Sequence, residues 1–121
     1  MQRKDIDSYI VERPWGRSEF LLEDEGYTVK RLFIYPGKRF SYQKHTRRTE
    51  QWTVAVGEAV AILDGKEIRL TEGESIIIPL GAAHRLGNPD KSKNLSVIEI
   101  QRGEYFGDDD TIRLEDDFGR S

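Results

Sequence analysis

Histidine occurs twice in the 121 residues, at His45 and His84, and each stands among residue types that can hold a cation. Gln43 and His45 are two apart in a stretch with strand character, so both side chains point to the same face. Glu50 opens the next strand, beyond the turn Thr46–Thr49. Pairing of these two strands as antiparallel neighbours would bring its carboxylate to His45. His84 follows the turn Pro79-Leu80-Gly81, which can aim its imidazole inward. An amide oxygen, two imidazoles and a carboxylate make a mixed nitrogen and oxygen set. Such a set suits Zn, Mn, Co, Ni or Fe better than Ca. The expected cofactor is therefore a divalent metal ion on Gln43, His45, Glu50 and His84.

The charge around these residues points to an anionic ligand. Five basic residues (Lys38, Arg39, Lys44, Arg47 and Arg48) lie between Pro36 and Glu50, and Arg85 adjoins His84, although the chain as a whole carries a net charge of −3. Arginine pairs bidentately with phosphate. Lys44, Arg47, Arg48 and Arg85 are the expected contacts of a phosphorylated sugar. The overall acidity argues against nucleic acid as a partner. Cysteine is absent, which excludes disulfides and thiol catalysis. No apolar run approaches the ~18–20 residues of a membrane span, and no signal peptide opens the chain. A cytoplasmic protein with no membrane contact is expected.

The elements that must position these residues are short strands. Period-two segments run over 18–23, 27–35, 39–45, 51–56, 58–63, 66–70, 75–78, 83–86 and 95–101. Turn residues separate them, and Asp64-Gly65 is a strong hairpin signal. Trp52, Val54 and Val56 share one face, and Trp15 in Arg13-Pro14-Trp15-Gly16 reads as a core plug. The polar start predicts a loose arm over 1–12, ahead of one domain over 13–121. The acidic tail from Glu104 to Asp117 predicts a short helical turn or a capping loop. About nine short, evenly spaced strands with no convincing helix give an all-β sandwich or barrel.

Two blocks of this chain resemble the paired motifs of the cupin superfamily. The first is Gly37, Gln43, His45, Glu50 and Gly57; the second is Gly73, Pro79, Gly81, His84 and Asn88, both without a gap. A closer resemblance runs over roughly residues 10–120. It is carried by Arg13-Pro14-Trp15-Gly16, Tyr27-Thr28-Val29-Lys30-Arg31-Leu32, Arg48-Thr49-Glu50-Gln51-Trp52, His84-Arg85-Leu86-Gly87-Asn88-Pro89 and Gly103-Glu104-Tyr105-Phe106-Gly107-Asp108-Asp109-Asp110. These look like the C-terminal cupin domain of type II mannose-6-phosphate isomerase, which in that family follows a mannose-1-phosphate guanylyltransferase domain.

The resemblance implies a double-stranded β-helix (jelly roll) and a divalent metal. It also implies interconversion of mannose 6-phosphate and fructose 6-phosphate through an enediol. Arg48 matches the family's functional arginine and is the expected catalytic residue. A stand-alone domain of this length is not expected to carry nucleotidyl transfer. Thr46-Arg47 and Gln51 stand where the family usually has histidine. Gln51 cannot titrate, so the general base stays open among Lys30, Lys44 and Glu99. The alternative is a non-catalytic sugar-phosphate-binding or regulatory cupin. A small metal-dependent oxygenase ranks last, because it usually takes more histidine ligands. Domains of this fold and size commonly dimerise, so a homodimer is expected.

Overall fold

Inward and outward residues alternate along every long strand, and this alternation decides what fills the interior. A computed structural model describes residues 8–120. Its strands are β1 (Tyr9–Arg13), β2 (Gly16–Asp24), β3 (Tyr27–Ile34), β4 (Tyr42–His45), β5 (Arg48–Val56), β6 (Ala59–Leu63), β7 (Lys66–Leu70), β8 (Ser75–Ile78), β9 (His84–Gly87), β10 (Leu95–Gly103) and β11 (Thr111–Glu115). A single 3-10 turn, Asp108–Asp110, precedes β11. The strands form two antiparallel sheets, in the orders β1-β2-β3-β10-β5-β8 and β11-β4-β9-β6-β7. This is the all-β double sheet expected from the strand pattern.

Between the sheets, β3 buries Leu32 and Ile34, β5 buries Trp52 and Val54, and β10 buries Leu95 and Val97. Ala59, Ala61, Ile78 and Leu86 close the core from β6, β8 and β9. Aromatic rings form a ladder through it. Trp15 meets Phe40 edge-on at 5.4 Å between centroids, Phe40 meets Trp52 at 5.7 Å, and Trp52 meets the His84 ring at 5.6 Å. The ladder joins the first hairpin turn to the second histidine, and each contact adds specific geometry to the area buried.

The strand pattern was incomplete at both ends. Of the arm expected over 1–12, residues 1–7 lie outside the described part, and Tyr9–Arg13 form edge strand β1 on β2. The tail goes beyond a cap, because after its 3-10 turn β11 pairs with β4 and covers that sheet edge. Charged side chains alternate with Ile112 and Leu114 in β11, so the acidity of the tail masked its period. Val56 does not join Trp52 and Val54 in the core; it is 56 % exposed at the end of β5. The Asp64-Gly65 turn behaves as expected. Both residues have positive φ, 46° and 80°, and Leu63 pairs with Lys66.

Gly16 starts β2 against Ile34, and a β-carbon there would fall well inside contact distance of the Phe33 carbonyl. Backbone cannot yield there as a flexible side chain can. Gly16→Ala is therefore expected to cost more than about 3 kcal/mol. Urea unfolding followed by tryptophan fluorescence would show it as a lowered midpoint, and an unchanged midpoint would rule out this close approach.

Candidate functional site

Four strands place the chemical groups. Gln43 and His45 share the inward face of β4, and Gln43 is the register partner of His84 at the start of β9. Glu50 points inward from β5, two residues after Arg48 and two before Trp52. The expected pairing of β4 with β5 is corrected here: the two strands lie in opposite sheets. Glu50 reaches His45 across the interior instead of along a ladder. The turn that passes the chain between the sheets is pinned by Asp110. Its carboxylate accepts hydrogen bonds from the Thr46 amide at 3.1 Å, the Thr46 hydroxyl at 2.7 Å and the Arg47 amide at 2.9 Å.

His45, Glu50 and His84 converge, with one ligand atom from each lying within 4.8 Å of the others. Glu50 Oε2 is 3.3 Å from His45 Nε2, and Oε1 is 3.2 Å from His84 Nε2. His84 Nδ1 lies 2.9 Å from the Ala82 carbonyl, which can only accept. Nδ1 therefore carries the proton, and in the neutral ring Nε2 offers a lone pair. That nitrogen is buried and makes no hydrogen bond. A lone pair facing a carboxylate oxygen at this distance calls for a proton or a cation between them.

Gln43 stands beside this trio. Its amide nitrogen is 3.5 Å from His45 Nε2, and its oxygen accepts from Ser41 Oγ at 2.7 Å. A half-turn of the amide would present the oxygen to the trio.

The electrostatics follow from burial. Desolvation alone would raise the Glu50 carboxyl, but the close imidazoles of His45 and His84 hold it well below the usual carboxylate range. His84 is pulled down by burial and raised on balance, chiefly by Glu50. Glu99 is the counterpoint. Burial, then the Glu50 charge, pushes it up to about 7.

Glu99 sits in a buried polar network. Trp52 Nε1 donates to it at 2.9 Å, and Gln101 Nε2 donates to both Glu99 at 3.0 Å and Glu50 at 2.9 Å. Thr28 donates to the Gln101 oxygen at 3.2 Å. Gln101 and Thr28 are not among the site residues expected from the sequence, and Glu99 is expected by residue type alone. The available signal was alternation in β10, where Glu99 and Gln101 continue the inward face of Leu95 and Val97.

The basic residues expected around the ligand scatter. Arg48 is buried against the trio, with Nη2 3.3 Å from His45 Nε2 and Nε 3.4 Å from Glu50 Oε2. Its guanidinium holds the Glu50 carboxylate from behind. Lys44 lies between Gln43 and His45 and so faces away from them. Arg47 pairs with Glu104 at 3.1 Å and stacks over Tyr105. Arg85 turns to the outer face of β9, where Nε donates to the Phe40 carbonyl at 2.9 Å and the tail carboxylates lie near. Lys44, Arg47 and Arg85 are thus not brought to the trio: alternation turns Lys44 and Arg85 to the opposite face of β4 and β9, and Arg47 lies in the turn between β4 and β5. A cavity of about 80 Å³ reaches Gln43 at the edge of the trio and is lined by Arg13, Glu99, Thr111, Arg113 and Arg120 among others, though by none of the trio itself.

Comparison with known proteins places this architecture. The model of the family described as "Mannose-6-phosphate isomerase C-terminal" matches residues 2–116. A mannose-1-phosphate guanylyltransferase of Klebsiella pneumoniae is 42 % identical over 110 residues, covering 91 % of this chain and 23 % of that protein. The alginate biosynthesis protein AlgA of Pseudomonas aeruginosa is 43 % identical over 111 residues, covering 92 % of this chain and 23 % of its own length. The chain thus spans about a quarter of the length of these curated relatives.

Among solved structures, the Cnp3 cupin domain of Schizosaccharomyces pombe superposes with a TM-score of 0.70 at 10 % identity, over 81 % of this chain and 69 % of that one. Streptomyces PAC13 does so with a TM-score of 0.75 at 14 % identity, over 96 % and 91 %. These likenesses establish the cupin fold. The expected isomerase activity is corrected by the relatives' names: at 41–45 % identity they are mannose-1-phosphate guanylyltransferases, not isomerases. Among the described residues, no helix is long and apolar enough to cross a membrane.

The proton balance of the site has a measurable sign. Glu99 titrates near ~4.3 when unfolded and at about 7 when folded. The native state binds more protons across that window, so stability falls as pH rises through it. The raised His84 adds a loss of the same sign near the upper end. In metal-free protein, melting temperature is expected to fall from pH 5 to pH 8. Glu99→Gln should flatten that slope and melt a few degrees (~2–6 °C) higher than wild type at pH 8. Parallel melting curves for the two proteins across this range would remove the charge assigned to Glu99.

Proposed function

The chain belongs to the family of mannose-6-phosphate isomerase C-terminal domains, and on that footing we propose that it is a metal-holding cupin module that binds a phosphorylated sugar, in the service of mannose-1-phosphate guanylyltransferase-type chemistry. The observation that carries this reading is the His45, Glu50 and His84 trio, buried and convergent, with the Nε2 lone pair of His84 facing Glu50.

The donor set fits a divalent ion of the Zn, Mn, Co, Ni or Fe type. His45 and His84 would supply imidazole nitrogens and Glu50 a carboxylate oxygen, with Gln43 next in line. The ion, when bound, supplies a Lewis-acidic positive charge for an oxygen of the ligand. The chain's own residues do the rest. The Ala82 carbonyl fixes the His84 ring, and the Thr111 hydroxyl lies 3.4 Å from His45 Nδ1. Such outer contacts orient ligand rings and raise their basicity. Arg48 and Gln101 hold the Glu50 carboxylate in place. The ligand class rests on the relatives, whose names carry mannose 1-phosphate.

The purified chain, dialysed against Zn²⁺ or Mn²⁺ and freed of excess, is expected to retain about one ion per chain by plasma mass spectrometry. At a free ion concentration a hundredfold above Kd, the bound ion should stabilise the fold by about 2.7 kcal/mol. His84→Ala and Glu50→Gln should each abolish retention, while Glu58→Gln, on an exposed ion pair with Arg69, should not. Calorimetric titration of the loaded protein should detect mannose 1-phosphate and no unphosphorylated mannose. No retained metal, or no discrimination between the two sugars, would overturn the reading.

A further inference from the structure

The interior cavity beside the trio has a neighbour. A second cavity of about 490 Å³ opens against β1–β3, walled by Tyr9, Phe20, Thr28 and Lys30 on one side and Phe106 on the other. Tyr9, Phe20 and Lys30 are aligned by register across the three strands. They share the inward face with Thr28, which bonds Gln101 of the buried network. The two cavities meet at Arg13 and Asp108, which line both.

Arg13 differs from the other arginines near the site. Arg120 holds Asp116 with two hydrogen bonds, at 2.8 and 3.2 Å. Arg48 is on Glu50 and His45, Arg47 on Glu104, and Arg85 on the Phe40 carbonyl and the tail. Among the described residues, the Arg13 side chain makes no hydrogen bond, ion pair or ring contact. Asp108 lines both cavities beside Arg13 but forms no ion pair with it, and Asp24 accepts from the Glu25 amide at 2.7 Å. Glu23 accepts from the Tyr9 hydroxyl at 2.6 Å, and Glu99 accepts from Trp52 and Gln101. A half-buried guanidinium facing a cavity, with no protein anion on it, is a place for an anion from outside.

We propose that Arg13 receives the phosphoryl group of a sugar phosphate at the junction of the two cavities. The assignment rests on the function proposed above and names the group that selects phosphorylated over neutral sugar. The planar guanidinium presents two parallel N–H donors, which match two phosphoryl oxygens. Arg13 shares its face of β1 with Tyr9 and Val11, which line the second cavity with it. Gln43 lines the same inner cavity and stands 3.5 Å from His45. A ligand anchored at Arg13 is thereby placed on the path to the trio.

Titration of the metal-loaded chain with mannose 1-phosphate, mannose and inorganic phosphate tests this. Arg13→Ala is expected to weaken mannose 1-phosphate about tenfold or more. It should leave metal retention and melting temperature unchanged, because nothing in the fold bonds that side chain. Arg13→Lys should recover part of the loss, and inorganic phosphate should compete with the sugar phosphate in wild type alone. Arg47→Ala should bind as wild type. Undiminished binding by Arg13→Ala would overturn this assignment and leave the proposed function standing. Failure of the loaded wild-type chain to bind mannose 1-phosphate would overturn both.

Discussion

One buried carboxylate holds the two sheets in their chemical relation. Glu50 comes from the sheet of β1, β2, β3, β10, β5 and β8, whereas both histidines come from the other. An ion pair of this kind inside a protein carries a desolvation penalty that only close partners offset. Here the partners are two imidazoles, a guanidinium and the Gln101 amide. Loss of any one would leave charge in a place without water. The spacing between sheets is therefore set by chemistry as well as by apolar packing.

The surrounding structure can be understood as support for that contact. The aromatic ladder from Trp15 through Phe40 and Trp52 ends on the His84 ring. Asp110 ties the turn between β4 and β5 to the 3-10 turn before β11, so the tail strand and the crossing are locked together. Glu99 shows what the arrangement tolerates. It is buried within the same network, yet Glu50 keeps its charge and Glu99 is driven toward neutrality, because two close carboxylates in a dry site cannot both ionise cheaply.

Much of this was legible in the sequence, for identifiable reasons. Strand alternation and turn residues exposed nine of the eleven strands, because apolar and polar residues there separate cleanly by face. β1 and β11 were hidden because both mix charge with apolar residues on an edge, where one face meets water. The trio was legible because His45, Glu50 and His84 sit at fixed spacings in two motif blocks. The route by which they meet was not. A loop as short as Thr46-Arg47 suggests a hairpin, and only the fold shows that β4 and β5 part into different sheets. Function was legible as a family and misread as an activity: the resemblance set the cupin domain apart from the guanylyltransferase domain and gave it isomerase chemistry, whereas the relatives are named as guanylyltransferases.

The basic residues carry a more general lesson about charge and position. Lys44, Arg47 and Arg85 cluster around the motif histidines in sequence; the β pleat turns Lys44 and Arg85 away, and Arg47 lies in the turn between β4 and β5. The cations that line the inner cavity come from far along the chain: Arg13 from β1, Arg113 from β11 and Arg120 from beyond it. Electrostatic character in a double sheet is thus composed by register between remote strands. Local charge density along the chain does not predict this: of the basic cluster before Glu50, Arg48 turns in to the trio while Lys44 and Arg47 stay out. The polarity of the barrel interior depends on which residues share a face with Leu32, Trp52 and Val97, the groups that define the inward direction of every strand around them.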